Sequence, residues 1–307
     1  MKIAIMGAGA MGALFGSHLA AAGHDVLLVD TDERVAGAIA RDGVVVHDGD
    51  ERRSVPVPVT ADPSGHGAHE VVLFLVKTYD TAAAAELARP LVGHGTVLAT
   101  LQNGVGSDDV LAAAYGDDRV LLGVTYQGAT VLAPGVVRHH MRGDTFIGPR
   151  AGAGVGVAER LASALTDGGQ PAHAMEHVAP KIWKKLSNNC MGNSTAALTG
   201  MNAGQMAGDD SMLALQRTVA TEAVAVANAL GHGLDLEDCI ATNENILRSS
   251  GTGRPSMLQD VEAGRRTEIE TLNGAIVRHA DALGMEVPVN RALVALVSGW
   301  ERARGLR

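Results

Sequence analysis

The stretch Lys2-Ile3-Ala4-Ile5-Met6-Gly7-Ala8-Gly9-Ala10-Met11-Gly12 decides the fold of the first half of this chain. Its apolar start is typical of a short buried strand, and a G-x-G-x-x-G turn follows at once. A helix is then predicted up to Ala22, and a second strand over residues 25–30 ends in Asp30. Glycines placed between a strand and a helix in such a βαβ unit predict a Rossmann-like, dinucleotide-binding domain.

Each glycine of the turn has its own role in this interpretation. Gly7 permits the tight turn, Gly9 lets the backbone approach the pyrophosphate, and Gly12 lets helix and strand pack closely. The helix N-terminus then presents free N–H groups and the positive end of its dipole to the phosphates. We therefore expect the whole turn to contact the cofactor, through Gly7, Ala8, Gly9, Ala10, Met11 and Gly12.

Asp30 indicates which dinucleotide is bound. A carboxylate at this position accepts hydrogen bonds from the adenosine ribose 2′-hydroxyl and repels a 2′-phosphate. NAD is therefore favoured as the cofactor, and NADP is the alternative. Two other interpretations stay open: Asp30 as a turn or cap residue, and Arg34 as a cation that turns outward to a phosphate.

Buried strands are also predicted over residues 70–76 and 96–100, and polar residues follow each of them. In open α/β sheets the ligand lies beyond the carboxyl ends of the strands. Lys77 and Asn103 are thus placed where the nicotinamide half of the cofactor would lie. Taken singly, each of these residues is more often part of a solvated loop.

The end of the first half continues as strand. Alternating segments at residues 120–127, 135–140 and 145–147 are expected to extend the same sheet. His139-His140 does not predict a metal site, because adjacent strand residues face opposite ways and no third ligand follows. We interpret this pair as part of a solvated edge strand, expect no metal, and place the dinucleotide-binding domain at residues 1–170.

Strand signals almost vanish from residue 179 onward, so residues 171–307 are expected to form a helical domain that holds the substrate. Helical periods cover residues 179–198, 212–229, 236–247, 257–283 and 290–303. Ser256 opens the fourth of these helices with a pattern typical of a capping box. The predicted fold class is α/β plus all-α, with a cleft between the halves where substrate meets cofactor.

One face of the first of these helices is polar. Lys185, Asn189 and Asn193 lie within about 80° of one another around the helix axis. Reduction of a ketone by hydride needs a proton source, and a lysine whose pKa is lowered towards neutrality supplies one. The asparagines can exchange hydrogen bonds with hydroxyl or carboxylate groups without adding charge. A solvated face is the alternative interpretation of this stripe.

The composition argues against several other classes of function. The net charge of −9 and the pI near 5.7 argue against a nucleic-acid partner. No apolar run reaches the ~18 residues of a membrane span, and glycines interrupt the signal-like N-terminal stretch. Cys190 and Cys239 are the only cysteines and lack metal-ligand spacing, which suits a cytoplasmic protein. The apolar C-terminal helices would allow a homodimer.

Motifs distributed along nearly the whole chain resemble the ketopantoate reductase (2-dehydropantoate 2-reductase) family. They are Gly7-Ala8-Gly9-Ala10-Met11-Gly12, Val76-Lys77-Thr78, Gln102-Asn103-Gly104-Val105-Gly106, Trp183-Lys184-Lys185-Leu186 with Asn189-Cys190, and Ser256-Met257-Leu258-Gln259-Asp260 with Thr267-Glu268-Ile269. The last two are much more specific than the glycine turn.

The resemblance implies a role for each matching position. Lys185 corresponds to the general acid, and Glu268 to an acid near the nicotinamide ribose that helps to set the active-site charge. Residues that fall where the family holds its keto-acid or hydroxy-acid substrate are Asn189, Asn193 and Ser256. Lys77 and Asn103 fall where it contacts the cofactor and aligns the lysine. The implied reaction is hydride transfer from the nicotinamide to the C2 ketone of 2-dehydropantoate, which gives pantoate on the route to coenzyme A.

Two positions depart from the family pattern or leave it incomplete. The family commonly places an arginine just after the second strand to hold the NADP 2′-phosphate, and Thr31 stands there in this chain. Positive charge is scarce near Ser256, where Arg254 is the nearest cation in sequence that could meet a substrate carboxylate. An NAD-linked dehydrogenase of another 2- or 3-hydroxy acid is therefore a second hypothesis. A dinucleotide sensor without turnover is a third.

Overall fold

The computed structural model describes residues 1–151 and 154–307. They form two compact units, of which one consists of Met1–Gln102 and Ser107–Val178 and the other of Asn103–Gly106 and Ala179–Arg307. The first unit contains a largely parallel sheet with helices, and the second is helical. The predicted fold class is therefore confirmed.

The strands of the first unit are β1 (Lys2–Met6), β2 (Asp25–Val29), β3 (Val44–Asp48), β4 (Glu51–Val55), β5 (Val59–Thr60), β6 (Val71–Phe74), β7 (Val97–Thr100), β8 (Val120–Thr125), β9 (Gly128–Ala133), β10 (Val136–Met141), β11 (Thr145–Pro149) and β12 (Ala172–Ala174). The main sheet has the order β12-β11-β8-β7-β6-β1-β2-β5. Its central strands are parallel, with Ile5 beside both Leu28 and Leu73. The carboxyl ends of β1, β6 and β7 consequently share one edge of the sheet.

The helices of the first unit are α1 (Ala10–Ala21), α2 (Glu33–Asp42), α3 (Thr81–Leu87), α4 (Ser107–Tyr115) and α5 (Val155–Asp167). Helix α1 approaches the sheet closely because glycines line its inner face. A Cβ on Gly12 would lie 1.8 Å from the Gly7 carbonyl oxygen, and one on Gly16 would lie 2.7 Å from Leu28 Cδ2. The core that they help to close includes Ile3, Ile5, Leu14, Phe15 and Leu28.

One strand prediction for the first unit is wrong. Strand β10 does not extend the main sheet but lies in a second sheet of order β4-β3-β10-β9, which contacts α1. It pairs antiparallel with β9 and parallel with β3. His139 is therefore buried instead of solvated, and its Nε2 lies 2.8 Å from Gln127 Oε1. An alternating pattern predicts a strand but not its pairing partners, because those are distant in sequence.

The second unit contains α6 (Ala179–Thr199), α7 (Ala203–Ala207), α8 (Asp210–Ala229), α9 (Leu236–Ser250), α10 (Ser256–Glu262), α11 (Asn273–Leu283) and α12 (Pro288–Arg302). Helix α6 contacts α8, α9, α10 and α12 and is buried along most of its length. Among the helices within the described ranges, none is long and apolar enough to cross a membrane.

The predicted single helix over residues 257–283 is wrong, because α10 ends early. The Arg265 N–H donates to the Asp260 carbonyl at 2.8 Å, and Gly264 takes a left-handed conformation with φ +63°. Both are features of a Schellman motif, which stops a helix. An irregular segment, residues 263–272, then leads to α11. The predicted capping box is also wrong, since Pro255 occupies the N-cap position without a side-chain bond.

Candidate active site

The glycine turn joins β1 to α1 with the geometry that a pyrophosphate needs. Gly7 has φ +95°, and a Cβ there would lie 2.9 Å from Val76 Cγ1. Gly9 immediately precedes α1, and a Cβ built on it would meet no atom of the described residues within 4 Å. The turn thus keeps open space in front of the free N–H groups of α1, where an anionic group can be bound.

Asp30 follows β2 and binds the glycine turn itself. Its Oδ2 accepts a hydrogen bond from the Ala8 N–H at 2.7 Å, and its Oδ1 accepts one from the Asp32 N–H at 2.9 Å. The carboxylate therefore stabilises the turn, as the interpretation of Asp30 as a turn residue expects. Each carboxylate oxygen keeps a further lone pair that can accept a hydrogen bond from a ribose hydroxyl.

Arg34 is held by its own neighbour. Its Nε and Nη2 donate to the Asp32 carboxylate at 3.1 and 2.7 Å. Because the pair is neutral as a whole, it adds no net positive charge next to Asp30. The pair therefore offers no net positive charge to a 2′-phosphate.

The ends of β6 and β7 are joined by a glutamine to which the motif assigned no role. Gln102 Nε2 donates to the Val76 carbonyl at 2.8 Å and to Thr81 Oγ1 at 2.9 Å. Lys77, half-buried beside Val76, accepts the Asp80 N–H at its carbonyl at 2.9 Å. The sequence signal that could have identified Gln102 is its place as a polar residue just after a predicted strand.

Asn103 belongs by its contacts to the second unit, together with the rest of Asn103–Gly106. The Val105 N–H donates to the Thr271 carbonyl at 3.1 Å. Gly104 has φ +81°, and a Cβ on it would lie 2.2 Å from the same carbonyl oxygen. Glycine at this position is therefore required for the segment to pack against residues 263–272.

Lys185 lies at the centre of the candidate site. Its Nζ donates to Asn103 Oδ1 at 2.8 Å, across 82 positions of sequence. Burial lowers the pKa of its ammonium group from 10.5 to about 8, and the Glu268 carboxylate offsets part of this effect by raising the pKa. A pKa in this range meets the requirement for a proton donor near neutral pH.

Glu268 lies in the irregular segment and not on a helix. Its side chain is buried, and its carbonyl accepts the N–H groups of Thr271 and Leu272 at 3.1 and 3.2 Å. The carboxylate that raises the pKa of Lys185 therefore belongs to an irregular segment, which is present because α10 ends early. A continuous helix through this region would have given residue 268 a different surrounding.

Asn193 and Ser256 contact each other directly. The Ser256 Oγ–H and the Met257 N–H both donate to Asn193 Oδ1 at 3.2 Å. This contact joins α6 to α10 and leaves the Asn193 Nδ2 group able to donate elsewhere. Asn189 is half-buried one turn after Lys185 on the same helix.

Charged and metal-binding groups add little around Asn189, Asn193 and Ser256. Arg254 is paired with Glu262 at 3.0 Å on an exposed surface, so it is already engaged by a carboxylate. In the described part of the chain, no group of three His, Cys, Asp or Glu side chains could hold a metal ion.

A buried acid that no motif predicts lies close to this site in the second unit. Glu301 of α12 is fully buried, and its Oε1 accepts hydrogen bonds from the backbone and side chain of Thr267. A glutamate near the end of an amphipathic helix reads as a surface residue. Thr267 lies 34 positions earlier in the chain, so sequence offered no signal for this contact.

Comparison with known proteins gives matches along both units. The family model described as Ketopantoate reductase PanE/ApbA matches residues 3–152, and the model described as Ketopantoate reductase PanE/ApbA C terminal matches residues 177–301. The chain is 35% identical to 2-dehydropantoate 2-reductase of Halobacterium salinarum over 97% of this chain and 98% of that protein. It is 33% identical to the enzyme of the same name from Archaeoglobus fulgidus, over 98% of each.

Solved structures give the same picture of the fold. A PanE/ApbA family ketopantoate reductase from Ralstonia eutropha superposes with a TM-score of 0.89 at 35% identity, over 99% of this chain and 100% of that one. D-mandelate dehydrogenase, in a ternary structure with NADH and anilino(oxo)acetate, superposes with a TM-score of 0.95 at 26% identity over the whole of both chains.

Proposed function

The chain belongs to the ketopantoate reductase family, and on that premise we propose that it reduces the C2 ketone of 2-dehydropantoate to pantoate with a nicotinamide cofactor. The observation that carries the proposal is the Lys185 ammonium, which donates to Asn103 at 2.8 Å and has a pKa lowered by burial to about 8. Carbonyl reduction needs such a proton donor.

The chemistry divides between cofactor and protein. When bound, the reduced nicotinamide supplies a hydride to the carbonyl carbon. The Lys185 ammonium gives its proton to the developing alkoxide, and the neutral amine regains a proton from solvent. Asn103 orients Nζ by accepting a hydrogen bond from one of its three N–H groups, and in this proposal another N–H donates to the substrate oxygen. Glu268 favours the protonated amine before transfer, since its charge raises the pKa of Lys185.

Substrate binding is assigned to uncharged groups of the second unit. In this proposal Asn189, the Asn193 Nδ2 group and Ser256 hold the hydroxyl and carboxylate groups of the substrate. An additional cation at the site would lower the pKa of Lys185 further through repulsion between like charges. Amides and a hydroxyl bind the same groups without that effect.

Cofactor binding is assigned to the glycine turn with Asp30 and Lys77. The open space at Gly9 fits a pyrophosphate, and Asp30 fits an adenosine ribose with a free 2′-hydroxyl. The Arg34–Asp32 ion pair and the absence of a cation at Thr31 support NAD over NADP. We accordingly assign cofactor binding to the first unit and substrate binding with proton donation to the second.

A second candidate function is an NAD-linked dehydrogenase of another 2-hydroxy acid. It is supported by the likeness to D-mandelate dehydrogenase, which was solved with NADH, and by the local charges around Asp30. The reaction type and the role of Lys185 are the same in both candidates. They differ in the substituent of the 2-keto acid and in the physiological direction of the reaction.

The test is a panel of initial-rate measurements with NADH and NADPH in parallel. The panel contains 2-dehydropantoate, short and branched 2-keto acids, and an aryl 2-keto acid. We expect the highest kcat/KM for 2-dehydropantoate with NADH. A higher value for the aryl acid would select the second candidate, and no oxidation of either cofactor above background would refute both.

A cytoplasmic location and a homodimer also remain part of the proposal. Cys190 and Cys239 are both free and buried, which suits a reducing compartment. Leu296 on α12 is 58% exposed and offers apolar surface for self-association. Analytical ultracentrifugation of the purified enzyme decides the oligomeric state.

A further inference from the structure

The buried carboxylate of Glu301 needs compensation because an isolated charge in a protein interior is costly. The structure supplies it with Arg307, whose Nε donates to Glu301 Oε2. Arg307 Nη1 in turn donates to Glu270 Oε1 at 2.7 Å, and Arg278 approaches the other Glu270 oxygen at 3.8 Å. Arg307 thus compensates the charge of Glu301 at Oε2, and Oε1 can accept hydrogen bonds from other groups.

That second oxygen holds the residues on both sides of Glu268. Glu301 Oε1 accepts the Thr267 N–H at 2.7 Å and the Thr267 Oγ–H at 2.6 Å. Thr267 Oγ1 in turn accepts the Ile269 N–H at 3.3 Å. The residue before Glu268 and the residue after it are therefore linked to one carboxylate.

The same segment also supports the other partner of Lys185. The Thr271 carbonyl accepts the Val105 N–H at 3.1 Å, and Val105 belongs to the segment that carries Asn103. The Glu268 carbonyl accepts the Thr271 N–H, which fixes Thr271 relative to Glu268. Both groups that act on the Lys185 ammonium thus depend on how residues 267–271 are held.

An irregular segment cannot hold itself in place as a helix does. Residues 263–272 lack a continuous run of i to i−4 bonds, so some of their N–H groups need acceptors from elsewhere. A buried ion pair is weak evidence for stability in itself, because an apolar replacement often serves as well. Here the Glu301 carboxylate also accepts hydrogen bonds from two donors of Thr267, which points to a requirement for exact placement of Thr267.

We propose that Glu301 is a positioning residue for the reaction, because its carboxylate fixes Thr267 and Ile269 and thereby keeps Glu268 facing the Lys185 ammonium. The inference rests on the proposed role of Lys185 as proton donor. Within the second unit, the Glu268 carboxylate raises the pKa of Lys185, while the adjacent Lys184 is paired with Asp238 of α9.

The first experiment is Glu301→Ala in the full-length enzyme, read as the pH profile of kcat/KM for reduction. Removing the acceptor releases Glu268, so Lys185 loses a charge that raises its pKa and deprotonates at lower pH. We expect the alkaline limb to move down by roughly half a unit to one unit, within the range that a nearby opposite charge produces. An unmoved limb in a folded variant would overturn the proposal.

The conservative variant Glu301→Gln separates position from charge. The glutamine oxygen can still accept both Thr267 donors, whereas its NH₂ group would face the Arg307 donor. We expect the alkaline limb to return to that of the parent enzyme, although the melting temperature falls. A limb displaced as far as in Glu301→Ala would contradict positioning through Thr267.

Glu222 provides a matched control for loss of a structural carboxylate. It accepts the N–H groups of Val289 and Asn290 at 2.9 Å at the start of α12, within the same unit. Glu222→Ala should lower the melting temperature and leave the limb unmoved. An equal shift of the alkaline limb in Glu222→Ala would show that the effect of Glu301→Ala comes from general loosening of the fold. That result would overturn the proposal.

A further variant keeps the test decisive if Glu301→Ala does not fold. Thr267→Val removes the hydroxyl that joins Glu301 to Ile269 and preserves side-chain shape. It should move the limb in the same direction by a smaller amount, and no movement would contradict the proposal. Lys185→Ala separates the two hypotheses: retained turnover there refutes the proton donor, whereas lost turnover with an unmoved limb in Thr267→Val refutes only the role of Glu301.

Discussion

In the proposed function, the glycine turn of the first unit and the lysine site of the second unit both stabilise negative charge, but by different means. The turn uses backbone N–H groups and the absence of side chains at Gly7, Gly9 and Gly12. The lysine site uses side chains from α6, from Asn103–Gly106 and from residues 267–271. Binding at the glycine turn should therefore be weakened by added side-chain atoms. Activity at the lysine site should instead be lowered by the loss of side-chain contacts.

The largest effect is expected at the side-chain site. Lys185→Ala removes the proton donor, so kcat for reduction should fall by about 10²–10⁴, the range for loss of a general acid. Dinucleotide affinity, measured by quenching of protein fluorescence, should change little.

Lys184→Ala is the control for this variant, since Lys184 pairs with Asp238 on the neighbouring helix. Its kcat should stay close to that of the parent. A similar loss in both variants would show that charge in this part of α6, and not proton donation, supports turnover.

The backbone site predicts opposite behaviour for two glycines of one motif. Gly12→Ala should lower the free energy of unfolding by about 3 kcal/mol, because its Cβ would lie 1.8 Å from the Gly7 oxygen. Gly9→Ala should leave that free energy nearly unchanged, since its Cβ would meet no described atom within 4 Å. It should still weaken dinucleotide binding at least tenfold by filling the space assigned to the pyrophosphate.

Chemical denaturation and a binding titration on both variants measure these two quantities. Gly37→Ala, on the exposed face of α2, is a matched control that should change neither stability nor affinity adversely. Unweakened binding in Gly9→Ala would remove the turn from the proposed cofactor site.

The pH dependence tests whether the side-chain site is tuned by burial. Reduction needs protonated Lys185, so kcat/KM should fall about tenfold per unit as pH rises above a pKa of about 8. Oxidation of the hydroxy acid needs the neutral amine and should rise through the same pH range. A reduction limb near the ordinary lysine pKa of 10.5 would show that burial does not act on Lys185 in solution.

The smallest expected effect concerns Asp30, the carboxylate that supports the turn and is proposed to bind the ribose. Asp30→Asn keeps an acceptor for the Ala8 N–H but removes the negative charge. The ratio of kcat/KM for NADPH to that for NADH should rise about tenfold, which corresponds to roughly 1.4 kcal/mol.

Asp32→Asn serves as the companion variant. It frees Arg34 from its ion pair, so the same ratio should rise there as well. Unchanged selectivity in both variants would mean that neither charge chooses the cofactor.

The parts of the molecule that sequence predicts correctly are those whose physics is local. The glycine turn, the buried strands around it and most of α6 follow from residue spacing and apolar period alone. The errors arise where distant contacts decide. Strand β10 joined a second sheet through β3, and the helix predicted from residue 257 stopped at the Schellman motif around Gly264. In the second case Gly264 was a usable local signal.

The candidate site divides in the same way. Sequence alone determined the glycine turn and the polar stripe from Lys185 to Asn193, because both lie within one or two turns of backbone. Only tertiary structure decided that Asn103 accepts a hydrogen bond from Lys185, that Asp30 accepts the Ala8 N–H, and that Glu301 supports the segment around Glu268. Desolvation and hydrogen bonding depend on which distant residues the fold brings into contact, and the periodicity of a sequence does not indicate those contacts.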